Sequence, residues 1–582
     1  MIPEYSSFKV EIKNLKFITD EGQKYSKTAI LTFLVPKQTH PVVELLGHID
    51  QHDIFSMLDN KQPINLDQCY INKFSLKEYR QIRNMDPKDH IEIPGFSAKN
   101  SFFDSPFQFD FSYAKITENE FTLESSYIAN GQMNFKNSIF HCKQVNLSNV
   151  FFREGNFDFS NVHNDNADIN FKNAIFGPGK KDFQYTNFGN GDKFFTNTEF
   201  GDGEVSFINT HFNDGDLSFK VARFGTGMIS FHYAKFGVGD KTFERSEFGN
   251  GMVDFRTVEF GKGKINFNRA SFGIGDVSFE GSELLEGRLS MKRAQFGRGK
   301  FSFELGEYSD IDLDLERTEF GEGVISFYNS KLKSLSLNSC HLDHYTDLRV
   351  AKCSYIDLSN TIVRDIIDLK PYEFKEEIYT LNFVGMRLIG RIYIDWKANN
   401  VNQLVKRQQD ISHRLKSEQY RILKENFSLT GQYNDEDSSY VEFKRHEAIA
   451  DLQESVKSRP ISAIWNYPLY WFKLLLFDKA GLYATNPARV IFTMLVSYVF
   501  FSFLYYVLMT YTSADIISSV NNPDKLTDVG TAFYHSAITF FTIGYGDHFP
   551  VGFIRVLSGI EGFTGVFLMS YFTVAFVRKI LR

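Results

Sequence analysis

Residues 171–206 read FKNAIFGPGKKD, FQYTNFGNGDKF, FTNTEFGDGEVS, three units of twelve residues laid end to end. Each unit opens on a phenylalanine, places a second one five residues later and follows it with glycine. The first series continues through Phe207, Phe219, Phe231, Phe243, Phe255, Phe267 and Phe279. Its frame reaches back to Phe135 and on to Phe327, with Leu147, Met291 and Leu315 as substitutes. The second series runs from Phe176 to Phe272, then Leu284, Phe296, Tyr308 and Phe320. This repetition accounts for the 62 phenylalanines among 582 residues. A fixed short period is the mark of a solenoid, in which each unit buries its apolar face only against its neighbours.

The residue two before the second ring is small, as at Ala174, Thr186, Thr198, Thr210, Ala222, Ala234 and Ser246, and two before the first it is often Val205, Leu217, Ile229, Val253 or Ile265. Period-two pairs of this kind predict short strands with one buried face, and the paired glycines predict turns with positive φ. The small-x-large pairs resemble pentapeptide-repeat proteins, which implies a β-helix, although the spacing here alternates seven and five. Twelve residues are too few to enclose two phenylalanines in one turn, so 24 residues per coil are expected. About eight coils would stack to about 40 Å at ~4.8 Å per layer. After Phe327 the repeat loosens into leucine and isoleucine pairs.

The GxGD strings raise the question of calcium. The residue after the second glycine is Lys180, Asp192, Glu204, Asp216, Met228, Asp240, Met252 and Lys264 in turn. A ligand row needs carboxylates coil after coil, so turn glycines with solvated charges are expected instead. Cys69, Cys142, Cys340 and Cys353 have no paired spacing, which suits a reducing compartment and no zinc site.

The predicted organisation is multi-domain. Residues 1–100 form a non-repeating cap and 101–400 a cytoplasmic β-helix. Residues 401–486 form a helical linker, and 487–582 an all-α domain with two membrane spans. In the linker, Val401 to about Lys457 carries charged residues at helical spacing, with Gly431 dividing a helical hairpin. Trp465, Tyr467, Tyr470, Trp471 and Phe472 lead into Lys473 and predict a helix at a membrane interface.

Val490–Thr510 and Phe553–Val577 are apolar runs long enough to cross ~30 Å of hydrocarbon. Asn486-Pro487 is a favourable helix entrance, and Thr527 or Asp528 would cap a helix running to Phe541. Between that helix and the second span stands Thr542-Ile543-Gly544-Tyr545-Gly546-Asp547. The string resembles the T-V-G-Y-G-D signature of two-transmembrane potassium channels, with Ile543 for valine. The resemblance implies a re-entrant pore helix and a selectivity filter in which carbonyls of Thr542, Ile543, Gly544, Tyr545 and Gly546 replace the hydration shell of K⁺. Four such loops make one filter, so a homotetramer, or a heterotetramer of similar chains, is implied.

Relatives carry two tryptophans at the places held here by Tyr534 and His535, and a second threonine where this chain has Phe541. Asp547, Tyr534 and His535 are therefore the expected filter support, in altered form. The resemblance places Gly565 at an inner-helix hinge, and helical spacing sets Met569, Thr573 and Val577 on one face toward the cavity and gate. Close helix packing is the competing reason for Gly565. Glu561, costly in a membrane unless paired, is expected to bond to the back of the pore helix.

Basic residues Lys473, Lys479 and Arg489 precede the first span and Arg578, Lys579 and Arg582 follow the second. Both termini are thus expected in the cytoplasm of a multi-pass protein of the plasma (inner) membrane. No nucleotide loop, zinc-protease motif or catalytic constellation is present, so no enzyme and no cofactor are expected beyond K⁺ as the permeant ion. A net charge of −7 argues against nucleic acid. The expected partners are membrane lipid, copies of the same chain, and an unidentified cytosolic ligand or protein at the β-helix. A membrane-anchored binding scaffold and a less selective cation channel are the alternatives.

Overall fold

The computed structural model describes residues 5–36, 40–118, 120–284, 287–304, 311–371, 377–520 and 526–581. Tyr308 and Arg582 lie outside them. The chain divides into two compact units, Met1–Gln408 and Gln409–Arg582.

The first unit is the solenoid. Along the repeat, strands pair in parallel with partners 24 residues on. Ile169 pairs with Lys193, Lys193 with Leu217 and Leu217 with Lys241. On a second sheet Lys181 pairs with Val205 and Val205 with Ile229. Isolated bridges such as Ile175 to Glu199 and Asn187 to His211 close two further short sides. Two twelve-residue units therefore make one four-sided coil, as their phenylalanine content requires.

The stack is longer than eight coils. Among the described residues its two main sheets have 13 and 14 strands, about 60 Å at the usual strand spacing. The additional coils escaped the repeat for two reasons. Ile64 pairs with Phe96 across a coil that admits helix α2 (Leu76–Ile82), which hides the period. Toward the other end Leu313, Leu335, Ile356 and Leu381 pair in succession at drifting intervals and with aliphatic cores.

The interior is columns of phenylalanine. Phe195, Phe219, Phe243 and Phe267 stack almost parallel, with centroids 4.6, 5.1 and 4.4 Å apart. Phe207, Phe231 and Phe255 form a second column at 4.8 and 4.9 Å. The two columns meet edge to face, as at Phe219 and Phe231 (90°). This arrangement places ring edges against ring faces, the favourable quadrupole geometry. The small column has its own role. Thr198 Oγ1 donates to Phe171 O at 2.8 Å, Thr210 to Phe183 O at 2.9 Å and Ser246 to Phe219 O at 2.6 Å.

The expectation for the turn glycines holds in part: Gly179, Gly201 and Gly215 take positive φ, whereas Gly225, Gly251 and Gly275 do not. Gly203 takes a positive φ of 112°, but in most units a second left-handed corner holds an ordinary residue, such as Asn173, Tyr185 or Asn197. Gly227 is required by space: a Cβ there would lie 2.0 Å from Gly203 O in the preceding coil. The aspartates of the GxGD strings are structural. Asp192, Asp240 and Asp276 each accept the backbone N–H of the residue one coil on, at 2.9, 3.0 and 2.8 Å.

Among the described residues, Lys181, Lys193 and Lys241 stand in apolar strand positions. Lys193, fully buried between Ile169 and Leu217, donates Nζ to Asp214 O at 2.7 Å, and burial pushes its pKa down to about 8. The unfolded chain, with an ordinary lysine, holds more protons between that value and about 10.5. Stability therefore rises with pH across that window, and below it the charged lysine costs the fold. Lys193→Leu should raise the apparent Tm at pH 7, by an amount equivalent to about 1 kcal/mol once the lost carbonyl contact is subtracted. The gain should shrink toward pH 10; a gain independent of pH would contradict the burial argument.

Both ends of the stack are covered. Helix α1 (Gln51–Asp59) follows an antiparallel set, Ser7–Lys13, Lys27–Leu34 and Val42–His48, whose last strand joins the coils through Gly47 to Cys69. At the far end α3 (Val401–Lys406) packs on Glu377–Asn382, and Gln408 Nε2 donates to Leu381 O. The four cysteines are buried and unbridged.

The second unit is helical. The hairpin is α4 (His413–Leu429) and α5 (Tyr433–Ser458), joined through Gly431 at φ 71°. Ser412 caps α4 by accepting from Leu415 N, which separates it from α3 rather than extending one helix from Val401. Next come α6 (Ala463–Lys473), a π-helical stretch Leu474–Lys479, α7 (Pro487–Tyr511), α8 (Asp528–Phe540) and α9 (Ile554–Ile580). No side chain of α6 is buried, and Trp465, Trp471 and Phe472 are exposed. Helices α7 and α9 are long and apolar enough to cross a membrane. Asn486 caps α7 by accepting from Arg489 N, with Pro487 in its first turn.

Candidate functional site

Thr527 caps α8 by accepting from Gly530 N, and α8 runs to Phe540 between the two long helices. Its C-terminal carbonyls hold the start of the string: Ile538 O accepts from Ile543 N and Gly544 N at 2.9 and 3.2 Å. From there φ is positive at Thr542 (55°), Gly544 (66°) and Gly546 (75°), but not at Ile543 or Tyr545. A φ that alternates in sign is compatible with successive carbonyls sharing one side of the chain. Among the described residues, the carbonyl oxygens of Thr542, Ile543, Gly544 and Tyr545 accept no hydrogen bond. Four open carbonyls in a row, free to meet water or an ion, make this strip the candidate site. The strip is also uncovered, with Ile543 48% and Tyr545 72% exposed in the protomer.

Gly546 O differs. It accepts from Ser519 Oγ at 3.0 Å, and Ser519 N donates to Asp547 O at 2.8 Å. Ser519 directly follows the strand Asp515–Ser518, which pairs antiparallel with His548–Val551. The string is thus pinned from outside by the segment linking α7 to α8, and nothing in that polar stretch of sequence marked Ser519.

Tyr534 and Asp547 are brought together, the phenol donating to the carboxylate at 2.7 Å with His548 edge-on to the ring. His535 is buried and meets Ser558 Oγ at 3.1 Å, its ring edge-on to Tyr505. It braces α8 against its neighbours. Phe541 packs its ring against Tyr498, which also donates to Phe533 O.

Glu561 is fully buried behind α8 and accepts from Ser536 Oγ at 2.5 Å and Tyr505 OH at 2.7 Å. One carboxylate ties α7, α8 and α9 together. The Ser536 contact is the expected one, and Tyr505 adds the other helix. Gly565 is packed against α8: a Cβ there would lie 1.9 Å from Phe540 O. Close approach alone requires glycine at this position. Met569, Thr573 and Val577 lie at successive turns on an exposed side of α9, away from buried Leu568, Tyr571 and Ala575.

Residues 493–582 match the ion-channel family. The helical unit carries an ion-channel domain, and with its two apolar helices the protein is a membrane protein. Joined to it in the same chain is a pentapeptide-repeat-like β-solenoid. No curated protein and no solved structure matches the chain.

Proposed function

We propose that the protein is a homotetrameric, K⁺-selective channel in which ions pass along Thr542, Ile543, Gly544, Tyr545 and Gly546. The observation that carries this reading is the run of four open carbonyls on backbone of alternating hand. Four protomers would set these oxygens around one axis as a substitute for water. The exposure of Ile543 and Tyr545 supports assembly, because a tetramer would cover them. Asp547, Tyr534 and His535 support the strip, the first two directly and the third from behind α8. The face bearing Met569, Thr573 and Val577 would line the inner cavity, with Gly565 holding α9 close to the pore helix.

The basic flanks favour cytoplasmic termini in the plasma membrane. The exposed aromatics of α6 favour contact with the lipid interface. The solenoid would then act in the cytoplasm, in gating or assembly, with a cytosolic ligand or protein as its partner. Conduction calls for no cofactor and no catalytic step. The Ser519 contact to Gly546 O and the altered cuff favour, as a second reading, a less selective cation channel.

The experiment is bilayer recording from purified protein of measured mass. A tetrameric mass with discrete K⁺ currents is expected. Tetramers that pass no current, with or without cytosolic extract, would point to a membrane-anchored scaffold.

A further inference from the structure

We propose that Asp437 is a positioning residue for the inner helix. It holds the last turn of α9 against the linker hairpin and so sets the opening of the pore, a role that rests on the channel reading above. The carboxylate of Asp437, on α5, accepts from Arg578 Nη2 at 3.2 Å and from Lys579 Nζ at 3.1 Å. Lys579 Nζ also donates to Asn434 Oδ1 at 3.1 Å, and the Arg578 guanidinium lies 4.4 Å from the ring centre of Tyr440. Asn434, Asp437 and Tyr440 follow one another at three-residue steps, so one face of α5 receives both basic side chains. Asp437 is buried, and removing one partner from a buried charged pair has a much larger effect than loss of a surface pair.

A second tie runs in parallel. Arg445, further along α5, donates to both oxygens of buried Asp478 at 3.0 and 2.8 Å. Asp478 belongs to the π-helical stretch, whose Phe477 O accepts from Tyr571 OH of α9 at 2.9 Å. The same phenol accepts from Ala484 N at 2.7 Å. Helix α5 thus grips α9 at its end through Asp437, and about two turns earlier through Arg445, Asp478 and Tyr571. Along the chain, Asp437 and Arg578 are 141 residues apart, with α7, α8 and the carbonyl strip between them. The ion pairs bypass that whole route. A movement of the hairpin reaches the inner helix without passing through the strip, so it changes opening and leaves selectivity alone.

The test is single-channel recording of the full-length protein in planar bilayers. Asp437→Asn should shift open probability on the order of fivefold or more, within the usual range of coupling between sites. Unitary conductance and reversal potential should stay unchanged. Asp437→Glu should remain close to wild type. Asp437→Arg should shift opening as Asp437→Asn does, and adding Arg578→Asp and Lys579→Asp should bring it back. A merely structural role would not produce that recovery. If Asp437→Asn fails to assemble, Arg578→Gln with Lys579→Gln carries the same test from the other side. Wild-type currents with open probability unchanged in these variants would overturn the positioning role alone. Absence of wild-type current would overturn the channel reading and this role with it.

Discussion

Replacing Gly544 or Gly546 with alanine is expected to abolish K⁺ current while leaving the protein folded and assembled. Both glycines hold positive φ, 66° and 75°, and a Cβ at either would have no neighbour within 4 Å in the protomer. Packing within one chain therefore does not oppose the substitution; backbone hand does. An L-residue in the left-handed region costs about 1–2 kcal/mol, and one such residue per chain gives about 4–8 kcal/mol over the proposed tetramer. The least costly relief is for the residue to leave the left-handed region, which turns a carbonyl away from its neighbours and breaks the coordination ladder. Current should fall by at least about 100-fold, since each 1.36 kcal/mol is tenfold. Tetramer mass and thermal stability should be nearly unchanged. Alanine variants with wild-type conductance and selectivity would remove this strip from the ion pathway.

The second large effect is expected in the solenoid. Phe219 is fully buried, stacked on Phe195 at 4.6 Å and Phe243 at 5.1 Å, with Phe207 and Phe231 edge-on at 5.7 and 5.9 Å. Phe219→Ala should cost about 3–5 kcal/mol through the cavity left behind. Because each coil is stabilised only by its neighbours, the damage should divide the stack, with protease cleavage and hydrogen exchange rising in the coils around residue 219. Phe219→Leu should be milder, about 1–2 kcal/mol. The same column already accepts Leu147, Met291 and Leu315, all fully buried. Equal sensitivity of the alanine and leucine variants would contradict the stacked-column account.

These two regions were legible in the sequence for opposite reasons. The coil of 24 residues follows from a register of rings that would not fit a smaller turn. The number of coils did not follow, because Leu335, Ile356 and Leu381 keep the strand position without the ring or the fixed interval. The glycines were read as turn formers, as Gly201 and Gly215 are, but Gly227 is required by a carbonyl in another coil, a contact that no local pattern carries. In the helical unit the string Thr542 to Asp547 stood out because its residue types are rare in that order. Ser519 and Tyr571 did not, since each acts through hydrogen bonds to backbone far away in the chain. Glu561 lay between these cases: an acid in an apolar run demands a partner, and Ser536 answered the expectation while Tyr505 was visible only in three dimensions.

The most direct measurement of the central claim is the reversal potential of wild-type currents with K⁺ on one side of a bilayer and Na⁺ on the other. A potential that follows the K⁺ gradient and ignores Na⁺ is the predicted result. A potential near zero, moving equally with either ion, would contradict K⁺ selectivity at the Thr542–Gly546 strip.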